Sequence, residues 1–161
     1  MENSVCFIGH REIKDAEVLQ SRLPGLLAEL ILSGKINFLF GDHSAFNRIC
    51  RETVSELQKK YPYIRRIHFR TNYENPDAYT EAFLLEDCEQ SIAIKGISRA
   101  GRAAYAERNQ YMIRESDICI FYFDENRHMN RKSGTALAYS YACKQGKKII
   151  NLFPSDTEKT G

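Results

Sequence analysis

Four short runs bring together residue types that handle anions. "SGT" at Ser133-Gly134-Thr135 stands just before a helix-like run. Small residues there leave successive backbone N–H groups uncovered, and the helix N-terminus adds the positive end of its dipole. The turn can therefore cradle a phosphate, or it can simply cap the helix. "GHR" at Gly9-His10-Arg11 follows an apolar run. Glycine permits a sharp turn or close approach of a ligand, His10 comes next, and Arg11 can grip a phosphate or carboxylate through two parallel hydrogen bonds. The same arginine can equally pair with a neighbouring carboxylate. "GDHS" at 41–44 repeats the pattern: after Gly41, Asp42 can accept from a ribose or base, while Asp42 and Ser44 are also ordinary helix caps. In "AERNQYMIRESD" (106–117), Arg108 lies four residues and Asn109 three residues before Met112. That spacing puts a polar pair on a partly apolar helix face, against the alternative of a solvated charged face.

Other chemistries lack their signatures. Neither G-x-G-x-x-G nor G-x-x-x-x-G-K-[ST] occurs, so a standard dinucleotide fingerprint or P-loop is not supported. The hydrolase elbow G-x-S-x-G is also missing. The four histidines, His10, His43, His68 and His128, have no partner at i+4 and no C-x-x-C beside them, so no metal is expected. The five cysteines form no C-x-x-C, and Cys6, Cys119 and Cys143 sit within apolar runs, which reads as buried reduced thiols. A net charge of +2 and a pI of about 8.2 are too weak an excess to argue for nucleic acid. No run approaches the ~20 apolar residues that span a bilayer, and "MENSVCFIGHRE" lacks the basic start of a signal peptide. These features point to a cytoplasmic protein without a membrane partner.

The elements that must position these runs alternate along the chain. Short apolar runs read as strands: "SVCFIG" (4–9), "INFLFG" (36–41), "IRRIHF" (64–69), "SIAIKGI" (91–97), "DICIFYF" (117–123) and "KKIINLF" (147–153). The third is the least apolar of them, which places it nearer an edge. Between them, 15–35 carries Leu19, Leu23, Leu26, Leu27, Leu30 and Ile31 at helical spacing, with a kink or restart expected at Pro24 and a stop at Gly34. A second helix over 44–62 turns Phe46, Ile49, Val54 and Leu57 inward, with Ser44 as its cap. Residues 75–90 read as partly helical, 126–133 as a polar loop, and helices are expected from about 103 to 115 and 135 to 144.

Alternating apolar strands and amphipathic helices predict a doubly wound α/β domain. Its sheet is mainly parallel, with about five or six strands and helices on both faces. Residues 1–161 form one domain in this reading, with 155–161 as a frayed tail. At 161 residues such a chain can bury a sizeable core without disulfides. Ligands of this architecture bind beyond the carboxyl ends of the strands, where strand order reverses. Three of the four chemical runs, 9–11, 41–44 and 133–135, follow those ends, while 106–117 is a helix that feeds the strand at 117.

In order, "CFIGHR", "FLFGDHSAFNRIC", "YPYI", "ERNQYMIRESDICIFYF" and "SGTALAYSYACKQGKKIINL" resemble the SLOG superfamily. That group unites the Smf/DNA-processing-A proteins with the LOG phosphoribohydrolases, and the similarity is greatest to a bacterial stand-alone branch with an N-terminal "GHR". The resemblance runs from about Val5 to Leu152 and implies a Rossmann-like fold that binds a nucleotide or nucleotide-derived ligand. Gly9 and Arg11 match the first motif, and Gly41 and Asp42 the second. Arg108 and Asn109 match the "RN" before a strand, and Ser133, Gly134 and Thr135 the phosphate turn. Where LOG enzymes carry "PGGxGTxxEE", this chain has "RKSGTALAY", with Leu137, Ala138 and Tyr139 in the region of the catalytic glutamates. N-glycosidic hydrolysis needs such a carboxylate, so binding or sensing is the expectation, with no further cofactor. A phosphoribohydrolase using Glu107 or Asp124, and single-strand DNA binding by analogy with the DNA-processing branch, are the alternatives. A homo-oligomer is expected from the family alone.

Overall fold

A computed structural model describes residues 1–71, 88–94, 101–127 and 133–154. The described elements are β1 (Ser4–Gly9), α1 (Ala16–Leu32), β2 (Asn37–Phe40), α2 (Ala45–Gln58), β3 (Arg65–Arg70), β4 (Gln90–Ala93), α3 (Arg102–Glu115), β5 (Ile118–Tyr122), a 3₁₀ turn (Glu125–Arg127), α4 (Gly134–Lys144) and β6 (Lys148–Asn151). The helical reading of 75–90 and most of the 126–133 loop lie outside the described residues, as does the tail from 155.

The strands form one sheet of six, in the order β4-β3-β2-β1-β5-β6, and every pairing is parallel. The α/β, Rossmann-like reading therefore stands. Parallel pairing follows from strand-helix alternation, since each return to the same edge needs a crossover. β1 and β5 are buried along their whole length, as expected of central strands covered on both faces. β3 lies one strand in from the β4 edge.

Alternate residues of each strand feed opposite layers. Val5, Phe7, Phe38 and Phe40 pack with Leu19, Leu23 and Leu27 of α1 and Phe46, Ile49 and Val54 of α2. Cys6, Ile8, Leu39, Ile67 and Phe121 pack on the other face with Ala104, Met112 and Ile113 of α3 and Ala138 and Ala142 of α4.

α1 runs unbroken through Pro24, against the restart expected there. Pro24 is on the exposed side, where water can take the carbonyl it orphans, while buried leucines before and after it hold both halves to the sheet. The helix ends as its sequence predicts. Gly34 takes φ 110°, its N–H reaches Ile31 O at 3.0 Å, and Lys35 N–H reaches Leu30 O at 2.9 Å. That pair of bonds satisfies the last carbonyls of the helix. Cys143 departs from the buried-thiol reading: it lies on the exposed side of α4, while Cys6, Cys50, Cys88 and Cys119 are buried. Among the described residues no helix is long and apolar enough to cross a membrane.

Candidate functional site

The sheet changes its direction of winding between β1 and β5. The chain leaves β1 for α1 on one face and leaves β5 for α4 on the other. Such a switch opens a crevice at the carboxyl edge, and His10 spans it. Its N–H donates to Tyr122 O at 3.2 Å, and its Nε2 accepts from the Asp124 N–H at 3.0 Å. An accepting Nε2 carries no proton, so this bridge uses the neutral ring with its proton on Nδ1. Arg11 beside it is exposed, and its carbonyl accepts from Ala45 N–H at 3.2 Å, joining the loop after β1 to the start of α2.

Gly9 owes its identity to packing. A Cβ there would lie 2.5 Å from Cδ2 of Phe46, whose ring covers the strand and stacks on Tyr122 at 5.8 Å. Gly41 is similar: a Cβ would lie 2.7 Å from Met112 Sδ and 2.9 Å from Arg108 Nε. Their positions after strands suit turn or ligand-approach glycines, and each also lets a side chain from a helix press on the strand end.

The loop after β2 is an interlocked cap. Ser44 Oγ accepts from Asn47 N–H at 3.2 Å, and Asp42 Oδ1 accepts from Ser44 N–H at 2.8 Å. Asn47 is fully buried and completes the network: its Nδ2 donates to Phe7 O at 3.2 Å, and its Oδ1 accepts from Gly41 N–H at 3.4 Å. One amide thus ties the ends of β1 and β2 to α2. Asn47→Ala should lower stability by about 2 kcal/mol, because it leaves buried backbone groups unpaired. Chemical denaturation would measure this, and an unchanged midpoint would show the network idle.

Arg108 and Asn109, adjacent on α3, are both buried and diverge. Arg108 turns to Gly41, with its guanidinium 4.9 Å from the Tyr105 ring centroid. Asn109 faces a groove between α3 and α4 that Gly134 also lines. The Arg108/Met112 spacing thus marked a buried face, and the solvated alternative falls for these two residues.

At the N-terminus of α4, Ser133 Oγ accepts from Ala136 N–H at 3.0 Å, so Ser133 is a cap. The N–H groups of Gly134 and Thr135 meet no acceptor among the described residues. Gly134 is exposed, and among the described residues nothing lies within 4 Å of its missing Cβ. Thr135 is buried. The structure thus pairs Gly41 with Arg108, Asn109 with Gly134, and His10 with Asp124.

Carboxylates on this edge are engaged. Asp124 Oδ1 accepts from Asn126 N–H at 3.1 Å, and Glu125 Oε1 accepts from the Tyr139 hydroxyl at 2.9 Å. Burial, and then that bond to Glu125, push the Tyr139 phenol up to about 12, so it stays protonated. Two of the buried thiols are held protonated as well. Burial, reinforced by the charge of Asp42, pushes the Cys50 thiol well up. The hydrogen bond to Cys6, and then burial, push Cys119 up. Among the described residues no three metal-ligating side chains cluster.

Beyond β2 and β3 lies a basic cluster of which sequence reasoning selected only Arg108. His68 is 2% exposed, and among the described residues neither ring nitrogen has a hydrogen-bond partner. The exposed His43 ring lies 6.0 Å away, tilted by 32°. Burial first, then the positive charges of His43, Arg108, Arg51 and Arg70, hold His68 down at about 4. Asn47 and His68 gave no motif: the meaning of each depends on groups that the fold brings near it, Phe7 O for Asn47 and the basic side chains around His68.

A family model described as YpsA, the YspA SLOG family, matches residues 7–157. No curated protein matches the chain.

Proposed function

The chain belongs to the YspA SLOG family, and from that membership we propose that it binds a nucleotide or nucleotide-derived ligand at the carboxyl edge of its sheet. A phosphate group sits on the Gly134 and Thr135 N–H groups, at the positive end of the α4 dipole. The observation that carries this reading is the state of that helix end. Ser133 takes the Ala136 N–H, while the two N–H groups before it meet no acceptor among the described residues, beside an exposed glycine with open space around it. Asn109 supplies an amide in the adjoining groove, and Arg11 an exposed cation at the end of β1. Holding the ligand is favoured over cleaving it. Leu137, Ala138 and Tyr139 bring no acid to the first turns of α4, and Asp124 and Glu125 are committed to local hydrogen bonds.

Thermal unfolding against a panel of nucleoside phosphates and ADP-ribose-type compounds tests this. A compound that binds only the folded state stabilises it by roughly 2.7 kcal/mol at a hundredfold excess over Kd, or roughly 5–10 °C for a chain of this size. Gly134→Asp should abolish the shift and leave the melting temperature of the free protein unchanged. An aspartate at the first helical position suits the dipole and meets open space, but it repels phosphate. A panel without any shift, or a shift that survives Gly134→Asp, defeats the reading.

A further inference from the structure

We propose that the carboxyl ends of β2 and β3 form a second anion subsite, in which Arg51 holds a phosphate group over His68, with Arg70 and Arg108 nearby. The strand geometry brings these residues together. Ile67 and Phe69 enter the core layer beneath α3 and α4, so Arg66, His68 and Arg70 face the α2 side. On that side Arg66 donates to Ser55 Oγ of α2 at 2.9 Å. Arg51 lies four residues before Ser55, one helical turn nearer the carboxyl edge, and therefore faces the next outward residue of β3, His68. Arg108 arrives from the opposite layer over the edge itself, where the missing Cβ of Gly41 admits it.

His68 is the second, independent observation. A buried position beside Phe40 would suit an apolar residue, yet it holds an imidazole with both nitrogens unsatisfied. Ser91, its partner on β4, also buries a hydroxyl that meets no partner among the described residues. Orphaned polar atoms of this kind destabilise a fold and call for a functional reason. An anion fits the Arg51 guanidinium, and a neutral imidazole beneath it can take a proton and donate. The His43 side chain covers the ring and is exposed, so it can rotate aside on the timescale of surface rotamers. Asp42, the acidic residue of the same loop, has Oδ1 held by Ser44 N–H.

The subsite stands apart from the α4 end: β3 is two strands from β1, or roughly 10 Å. A ligand with two anionic groups could reach both, but phosphate binding here does not require the α4 turn. Because an anion favours the protonated ring, binding should take up a proton and strengthen as pH falls below neutrality.

The test is a titration of ¹⁵N-histidine-labelled protein with inorganic phosphate, followed by NMR. Phosphate should move the His68 ring signals and raise the pH at which they titrate by about one unit or more. Arg51→Gln should weaken this response about fivefold or more, as expected on losing a charged phosphate contact. Gly134→Asp should leave it intact, which separates this subsite from the α4 cradle. His68 signals unmoved by phosphate up to tens of millimolar overturn the proposal. So does a response unchanged by Arg51→Gln, or one that disappears in Gly134→Asp.

Discussion

Gly9→Ala should cost the fold about 3 kcal/mol, at the upper end for overpacking a well-filled core. The added methyl would lie 2.5, 2.6 and 2.9 Å from Cδ2, Cγ and Cβ of Phe46. None of these atoms is the far end of a flexible chain. Phe46 is itself fully buried, between β1 and the Tyr122 ring, so it cannot swing into solvent. Either the ring or α2 must shift, and α2 carries the Asn47 network that fixes the loop after β2. Urea denaturation reads the loss directly. Two controls isolate its cause. Gly25→Ala, in the exposed middle of α1 with nothing within 4 Å, should stabilise by about 0.5–1 kcal/mol through helix propensity alone. Phe46→Leu should make the Gly9→Ala penalty smaller, because the smaller side chain can yield to the methyl; coupling of this kind marks residues in contact. Equal penalties in the two backgrounds would mean that Gly9 is needed for its backbone and not for the ring that covers it.

That contrast also shows what a linear sequence can carry. The strands were legible because a central parallel strand is apolar on both faces, and a run such as "DICIFYF" has few other uses. The helix ends were legible because Gly34, Ser44 and Ser133 act on groups within a few residues of themselves. The reasons for Gly9 and Gly41 were not legible. Each glycine is required by a side chain far along the chain, Phe46 in one case and Arg108 with Met112 in the other. Both glycines sit where a ligand-approach residue would also sit, so position alone could not separate the two meanings. Arg108 and Asn109 fall between these cases. Their spacing to Met112 signalled a buried face, but a single periodicity could not show that the two side chains leave the helix toward different places. The polarity of "IRRIHF" suggested nearness to an edge, and β3 does lie next to the edge strand. Its polar side chains have a second cause, the basic cluster at its carboxyl end.

His68 makes that cluster visible in the pH dependence of stability. With the folded value near 4 and the unfolded value at 6.5, the unfolded chain binds the extra proton throughout the interval between them. Stability should therefore be fully present above the unfolded value and fall as pH drops, with the loss complete once pH passes below the folded value. The full change is about 3 kcal/mol, on the scale of 1.36 kcal/mol for each unit of difference. The acids with shifted values act lower on the scale. Glu89 and Asp117 are held below their ordinary values of 4.5 and 3.8 by hydrogen bonds that outweigh their partial burial. Their contributions are therefore lost only as pH falls from about those values downward. The interval between pH 5 and 6.5 thus reports mainly on histidine. Denaturation midpoints across it should fall steeply in the parent protein and much less in His68→Leu, which keeps the buried volume and removes the titration. The same substitution should raise stability at pH 5, because it also removes two unsatisfied ring nitrogens. A parent and variant with parallel pH profiles would show that the ring finds a proton-accepting partner when it is charged. The anion subsite over His68 would then lose its main structural reason.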